Sequence, residues 1–94
     1  MNNLQETVTM MNSADYKERF KAEYYQTKIR YEKLKAFNNK IEASRKTNNM
    51  FHDGKKFEMP THDCPDDLLK NQQSVMGEYL HILEVRAVIE GIEL

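Results

Sequence analysis

Phe20, Tyr24, Thr27, Tyr31, Leu34, Asn38 and Ile41 follow one another in steps of 4, 3, 4, 3, 4 and 3 residues. This spacing holds one face of an α-helix against a partner, with Thr27 and Asn38 as polar interruptions of the seam. Asp15 and Glu18 have the spacing of a capping box, with Asp in the Ser/Thr position, so the helix starts near Ser13 or Asp15. Good helix formers run on to Arg45 or Lys46. At 1.5 Å per residue such a helix is roughly 45 Å long, too long to bury itself without a partner.

A second pattern lies at the other end of the chain. Pro65 suits a first helical position, and Asp66 and Asp67 stand where the positive end of the helix dipole favours them, leaving Cys64 as the residue before the first turn and its cap. Leu69, Gln73, Met76, Leu80, Leu83 and Ala87 form one seam. Leu68, Gln72, Val75, Tyr79, Ile82, Arg86 and Ile89 form another beside it. Two adjacent stripes are wider than one partner helix needs, so this helix predicts two neighbours. The first long helix is one; the second is another subunit or the N-terminal segment. Gly91 is placed to end the helix in a left-handed cap, with Ile92 tucking back.

The rest of the chain is organised around these two helices. Residues 1–12 carry Leu4, Val8 and Met11 at i, i+4 and i+7, a weak amphipathic pattern that predicts a short, loosely held helical arm. Asn, Thr, Gly and Pro gather between the helices. There Asp53-Gly54, flanked by Met50-Phe51 and Phe57-Met59, leaves a short β-hairpin and an ordered loop as equal alternatives. The expectation is a single all-α domain over 1–94: an N-terminal arm (1–12), a basic helix (13–46), a connecting loop (47–64) and a C-terminal helix (65–91). The two long helices form an antiparallel hairpin that assembles as a dimer or higher oligomer.

Charge sharpens this picture. The net charge is −1, yet residues 13–46 hold ten Lys/Arg against five Asp/Glu, and residues 66–94 hold two against six. Opposite charge on the two helices fixes the register of an antiparallel pair, and a basic half also attracts phosphate. No apolar run approaches the roughly 20 residues of a membrane span, and the opening lacks the basic and apolar segments of a signal peptide. One cysteine, Cys64, excludes an internal disulfide and fits a reducing compartment.

Candidate chemistry is sparse. There is no glycine-rich phosphate loop, no G-x-S-x-G, no H-E-x-x-H and no paired-cysteine zinc pattern. His62 and Cys64 flank a single residue beside a proline, where side chains diverge rather than converge on a substrate. His52, His62 and Cys64 offer donors for a transition metal, but loops also collect His and Asp for turn chemistry. Neither catalysis nor a cofactor is expected. His81, between Leu80 and Ile82, reads as a rim or interface histidine.

The stretch YKERFKAEYYQTKIRYEKL, residues 16–34, is the exception, with five aromatic and six basic residues. Rings stack on bases while cations and phenols meet phosphate. Phe20, Tyr24 and Tyr31 follow the seam and belong to the core. Tyr16, Lys17, Lys21, Tyr25 and Lys28 lie off it or near its end and are the candidate ligand contacts. The acidic second half and the lack of a helix-turn-helix argue against duplex DNA.

Tyr16-Lys17-x-Arg19-Phe20, Tyr31-x-Lys33-Leu34, Cys64-Pro65, Leu68-Leu69, Met76-x-x-Tyr79-Leu80 and Arg86-Ala87-x-x-Glu90-Gly91 carry a resemblance to small phage and prophage proteins. That family is named after an open reading frame of a crAss-like phage. The resemblance spans residues 15–94, and residues 43–59 depart from it as an insertion before the Cys-Pro. More loosely, the helical-hairpin plan is similar to that of phage sponge proteins that block CBASS and Thoeris defence by holding cyclic nucleotides between subunits. Together with the basic, ring-rich first helix and the over-wide apolar face of the second, the resemblance predicts an oligomeric, non-enzymatic protein of the host cytoplasm that sequesters a cyclic nucleotide messenger. Tyr16, Lys17, Lys21, Tyr25 and Lys28 would be its contacts, with Arg86 supplied by a neighbouring chain. The alternatives are a protein-binding inhibitor or adaptor, such as an anti-CRISPR or host-enzyme antagonist, and a structural phage component.

Overall fold

The computed structural model describes residues 3–47, 51–52, 55–56 and 60–94. Three helices carry the fold: α1 (Leu4–Met11), α2 (Tyr16–Lys46) and α3 (Asp66–Glu90). Phe51–His52 and Lys55–Lys56 pair antiparallel, Phe51 opposite Lys56 and His52 opposite Lys55. The Asp53-Gly54 turn of the hairpin alternative lies outside the described residues.

Local chemistry sets the helix ends. Asp15 caps α2 through its carboxylate, which accepts from the Lys17 amide at 3.0 Å. At the other end the Thr47 amide and hydroxyl both return to the Ala43 carbonyl, at 3.1 and 2.7 Å. The start of α3 falls one residue later than expected: Pro65 takes the cap position, and Cys64 is exposed and outside the helix. The Pro65 ring carries no acceptor, so no side-chain cap bond forms there. Asp66 and Asp67 supply the negative charge instead. Gly91 closes α3 at φ 70°, and the Ile92 amide reaches back to the Ala87 carbonyl at 2.8 Å, as the sequence pattern predicts.

α2 and α3 run antiparallel. Tyr16 meets Glu90 near one end of the pair, Tyr24 meets Glu84, and Asn38 meets Leu69 and Gln73 towards the other. Both predicted seams face each other: Phe20, Tyr24, Leu80, Leu83 and Ala87 are buried in one cluster closed by Ile92, with Tyr25 and Tyr31 packed against it. Asn38, the seam's polar interruption, is buried and donates Nδ2 to the Leu69 carbonyl (3.2 Å) and to Gln73 Oε1 (2.9 Å). Any slip of the hairpin would strand these groups, so they fix its register.

The N-terminal segment differs from the loosely held arm expected of it. Asn3 caps α1 by accepting from the Glu6 amide at 2.9 Å, and Thr7 is fully buried with its hydroxyl donated to the Leu4 carbonyl. With that hydroxyl satisfied locally, Thr7 can be buried without an orphaned polar atom, a pattern invisible to a count of apolar residues. Among the described residues α1 packs on α2 and not on α3. It is therefore not the second neighbour that α3 predicts, and no described element covers the outer stripe of α3.

The molecule measures 51 × 25 × 23 Å. Its radius of gyration, 17.1 Å, exceeds the roughly 12 Å of a compact domain of this length. A rod of this shape buries few side chains for its length.

Candidate ligand-binding site

At one end of the hairpin, the first residue of α2 meets the last turn of α3. Tyr16 Oη donates to Glu90 Oε1 at 2.9 Å and accepts from Arg86 Nη2 at 2.8 Å. Arg86 Nε donates to Glu90 Oε2 at 3.2 Å, closing the triangle. The guanidinium also lies 5.0 Å from the centre of the Phe20 ring. The hydrogen bond to Glu90 pushes the Tyr16 phenol above its usual range, with Arg86 opposing, and the same carboxylate raises Arg86. Tyr16, Arg19, Phe20, Glu23 and Arg86 line a depression of about 260 Å³ here. Arg86 is thus engaged by Tyr16 and Glu90 of its own chain. Arg19 is a second cation of the depression that sequence reasoning missed; its place inside the Tyr16-Lys17-x-Arg19-Phe20 run was the available signal.

The other four predicted residues lie along α2. Lys17 is exposed, and Lys21 sits 3.8 Å from Glu18. Lys28 stands 5.8 Å from the centre of the Tyr24 ring. From Lys17 to Lys28 is three helical turns, roughly 16 Å, so the three ammonium groups form a strip rather than a closed cage. Tyr25, expected to be free, is half-buried and set edge-on to Tyr24, with centroids 5.1 Å apart. Its ring packs against the core because successive rings on one helix wrap from the seam to its flank. Tyr24 is the anchor of this region: it is buried, and its hydroxyl donates to Glu84 Oε2. Burial first, and then the Glu84 bond, push its phenol up to about 12.

A longer groove between α2 and α3 was not legible in the sequence. It measures about 870 Å³ and is lined by Tyr31, Asn38, Gln73, Gly77 and His81, with Glu42 and Lys70 towards one end. Tyr31, Gly77 and His81 also line a smaller recess of about 180 Å³ that contains Lys28, Tyr24 and Glu84. Lys28 therefore stands in a recess next to the groove, with Tyr31, Gly77 and His81 shared between the two. Gly77 faces the Tyr31 ring: a Cβ at this position would lie 3.4 Å from Tyr31 Cε1, in van der Waals contact with it. Asn38 Oδ1 is buried here without a hydrogen-bond partner. The groove falls within the size range of small-molecule sites, and it offers amide, imidazole and aromatic surfaces.

The histidine-cysteine region is structural. His62 Nδ1 contacts the Cys64 carbonyl at 2.6 Å, and its Nε2 lies 3.0 Å from Asp66 Oδ1, while Arg45 pairs with Asp66. These contacts tie the end of the connecting loop to both long helices. No group of three His, Cys, Asp or Glu side chains among the described residues is arranged to hold a metal, and the side chain of His52 lies outside them. No described helix is long and apolar enough to cross a membrane.

A protein-family model described as Sequestin matches residues 14–89, which take in nearly all of the runs that carry the resemblance noted above. No curated protein sequence and no solved structure matches the chain.

Proposed function

The chain belongs to the Sequestin family, and from that premise we propose that it is a phage anti-defence protein that captures a cyclic nucleotide immune messenger and holds it without cleaving it. The family name speaks of sequestration, and a binding rather than a catalytic role suits a site made of amides, rings and cations. The observation that carries the reading is the groove between α2 and α3. It is bordered by aromatic and hydrogen-bonding side chains and adjoins a recess that holds Lys28.

On this reading the Tyr31 ring and the amides of Asn38 and Gln73 receive a base. Lys28, with Lys17 and Lys21 along the strip, meets the phosphates. At the hairpin end, Tyr16 and Arg86 form a second anion contact, in which a phosphate competes with Glu90 for the guanidinium. Tyr25 contributes through the Tyr24 ring it supports. The working form is a homo-oligomer in the host cytoplasm, with the messenger held at the subunit interface.

The test is native mass spectrometry of freshly purified protein, followed by nucleotide analysis of what denaturation releases. A cyclic dinucleotide is then titrated into the wild type and into a Lys17→Glu/Lys28→Glu variant. Released mass of nucleotide size, with binding lost in the variant and its helical circular dichroism unchanged, supports the reading. Equal affinity of the two proteins would remove Lys17 and Lys28 from the site. A protein that carries and binds no nucleotide would sink the proposal.

A further inference from the structure

Leu68, Val75, Ile82 and Ile89 recur every seven residues along the outer side of α3 and are 56, 55, 53 and 78 % exposed. Tyr79 and Val85, at 38 and 44 %, broaden the stripe. It spans 22 residues, roughly 33 Å of helix. Soluble monomers carry scattered surface apolar residues but rarely a continuous row of this kind. Among the described residues neither α1 nor the strand pair contacts α3. A strict seven-residue repeat is the signature of a helix that faces another helix of similar length.

We infer that the occupant is a second copy of this chain, docked through α3 against α3 in antiparallel orientation about a twofold axis between Val75 and Ile82. The repeat itself supplies the register. Residues whose numbers sum to 157 face each other, so Leu68 meets Ile89 of the second copy and Val75 meets its Ile82. One surface then complements itself, as a twofold interface requires.

Charge decides the orientation. A parallel pair would set Asp66 and Asp67 beside their own copies, Glu78 beside Glu78 and Arg86 beside Arg86. The antiparallel pair sets Asp67 opposite Glu90 and, at the axis, leaves Glu78 near its own copy. But it separates Asp66, Asp67 and Arg86 from their own copies, carries Arg86 towards Asn71 within one turn of Asp67, and opposes the two helix dipoles. The interface also borders the proposed ligand groove, because Ile82 lines both the groove and the stripe. A docked copy would wall that groove along its α3 side. This deepens the oligomer invoked above by naming its face and register, and it rests on the stripe rather than on any ligand.

The experiment reads association without nucleotide. Native mass spectrometry at tens of micromolar is expected to give twice the 11.2 kDa chain mass or an even multiple of it. Ile82→Lys/Ile89→Lys should reduce this to the single-chain mass with unchanged helical circular dichroism, while Lys35→Glu, exposed on α2, should leave it intact. For orientation, Cys64→Ser/Val75→Cys and Cys64→Ser/Ile82→Cys chains are mixed and treated with a short thiol crosslinker. The mixed product should exceed either same-residue product several-fold. A monomeric wild type, an assembly untouched by the lysine pair, or crosslinking that favours Val75→Cys with itself would each overturn the inference. An assembly of this kind that carries no nucleotide upholds the inference and sinks the proposed function; a monomer that binds nucleotide does the reverse.

Discussion

Replacing Tyr24 by Phe removes one hydroxyl and leaves the ring, so it isolates the polar bond that crosses the hairpin. Tyr24 is 5 % exposed and donates at 2.6 Å to Glu84 Oε2. Glu84 is exposed, so water replaces the lost donor, and the expected cost near neutral pH is about 1 kcal/mol. The pH dependence is more telling. The phenol of folded Tyr24 is pushed up to about 12 from a usual value of 10.0. A raised value means that the neutral phenol stabilises the fold: the contribution is complete below pH 10, where both states keep the proton. It is lost as pH rises towards 12, because the unfolded chain ionises first. At about pH 11 the wild type has lost about 1.4 kcal/mol through this group, and the Phe variant has lost nothing through it. The gap between the two proteins should therefore close, or slightly invert. Urea denaturation followed by circular dichroism at both pH values measures it, and the other tyrosines and the lysines cancel in the difference. A gap that stays constant from neutral pH to about pH 11 would refute the assignment of burial and the Glu84 bond as the causes.

Leu83 has no exposed surface in the core cluster, so Leu83→Ala should cost roughly 2.5–5 kcal/mol, which in a small domain is a large part of the total stability; a urea midpoint shifted only slightly would mean that the hairpin seam collapses around the gap. Gly91→Ala places a Cβ at φ 70° with nothing within 4 Å of it, so any loss, expected at about 1 kcal/mol, comes from backbone strain alone. Gly91→Asn should recover part of that loss in the same assay, since Asn tolerates the left-handed region.

The hairpin was legible because its information is periodic. Two seams at helical spacing, an acidic cap at Asp15 and a glycine at 91 state their roles locally, and the structure places Phe20, Tyr24, Leu80, Leu83 and Ala87 together. The helical packing of residues 4–11 was not legible, because it rests on a threonine whose hydroxyl bonds within its own turn. The α2–α3 groove was hidden for a different reason. It depends on what faces Gly77 across the pair, and a glycine inside a helical pattern gives no sign of the ring that lies opposite it. The candidate contacts divided in the same way. Tyr16 and Arg86 lie 70 positions apart and meet only because the register is fixed, while Tyr25 looked free on the helix and was taken up by the core.

The abundance of rings and cations on α2 has one physical account that serves both core and surface. Phe20 and Tyr24 are 4 and 5 % exposed, so their rings cannot stack on a ligand. Each nonetheless holds a cation against its ring: Arg86 lies 5.0 Å from the Phe20 centroid and Lys28 lies 5.8 Å from that of Tyr24. A buried ring has lost its freedom already, so a cation resting on it gives up less entropy on meeting an anion than one on a free side chain. The core rings thereby preposition the charges, and the two groups of candidate contacts are each built around one of them. The same logic ties binding to fold stability. Substitutions that keep a ring at position 20 or 24 keep the seat of the cation, whereas truncation of either ring removes a core side chain and the seat of a proposed anion contact together.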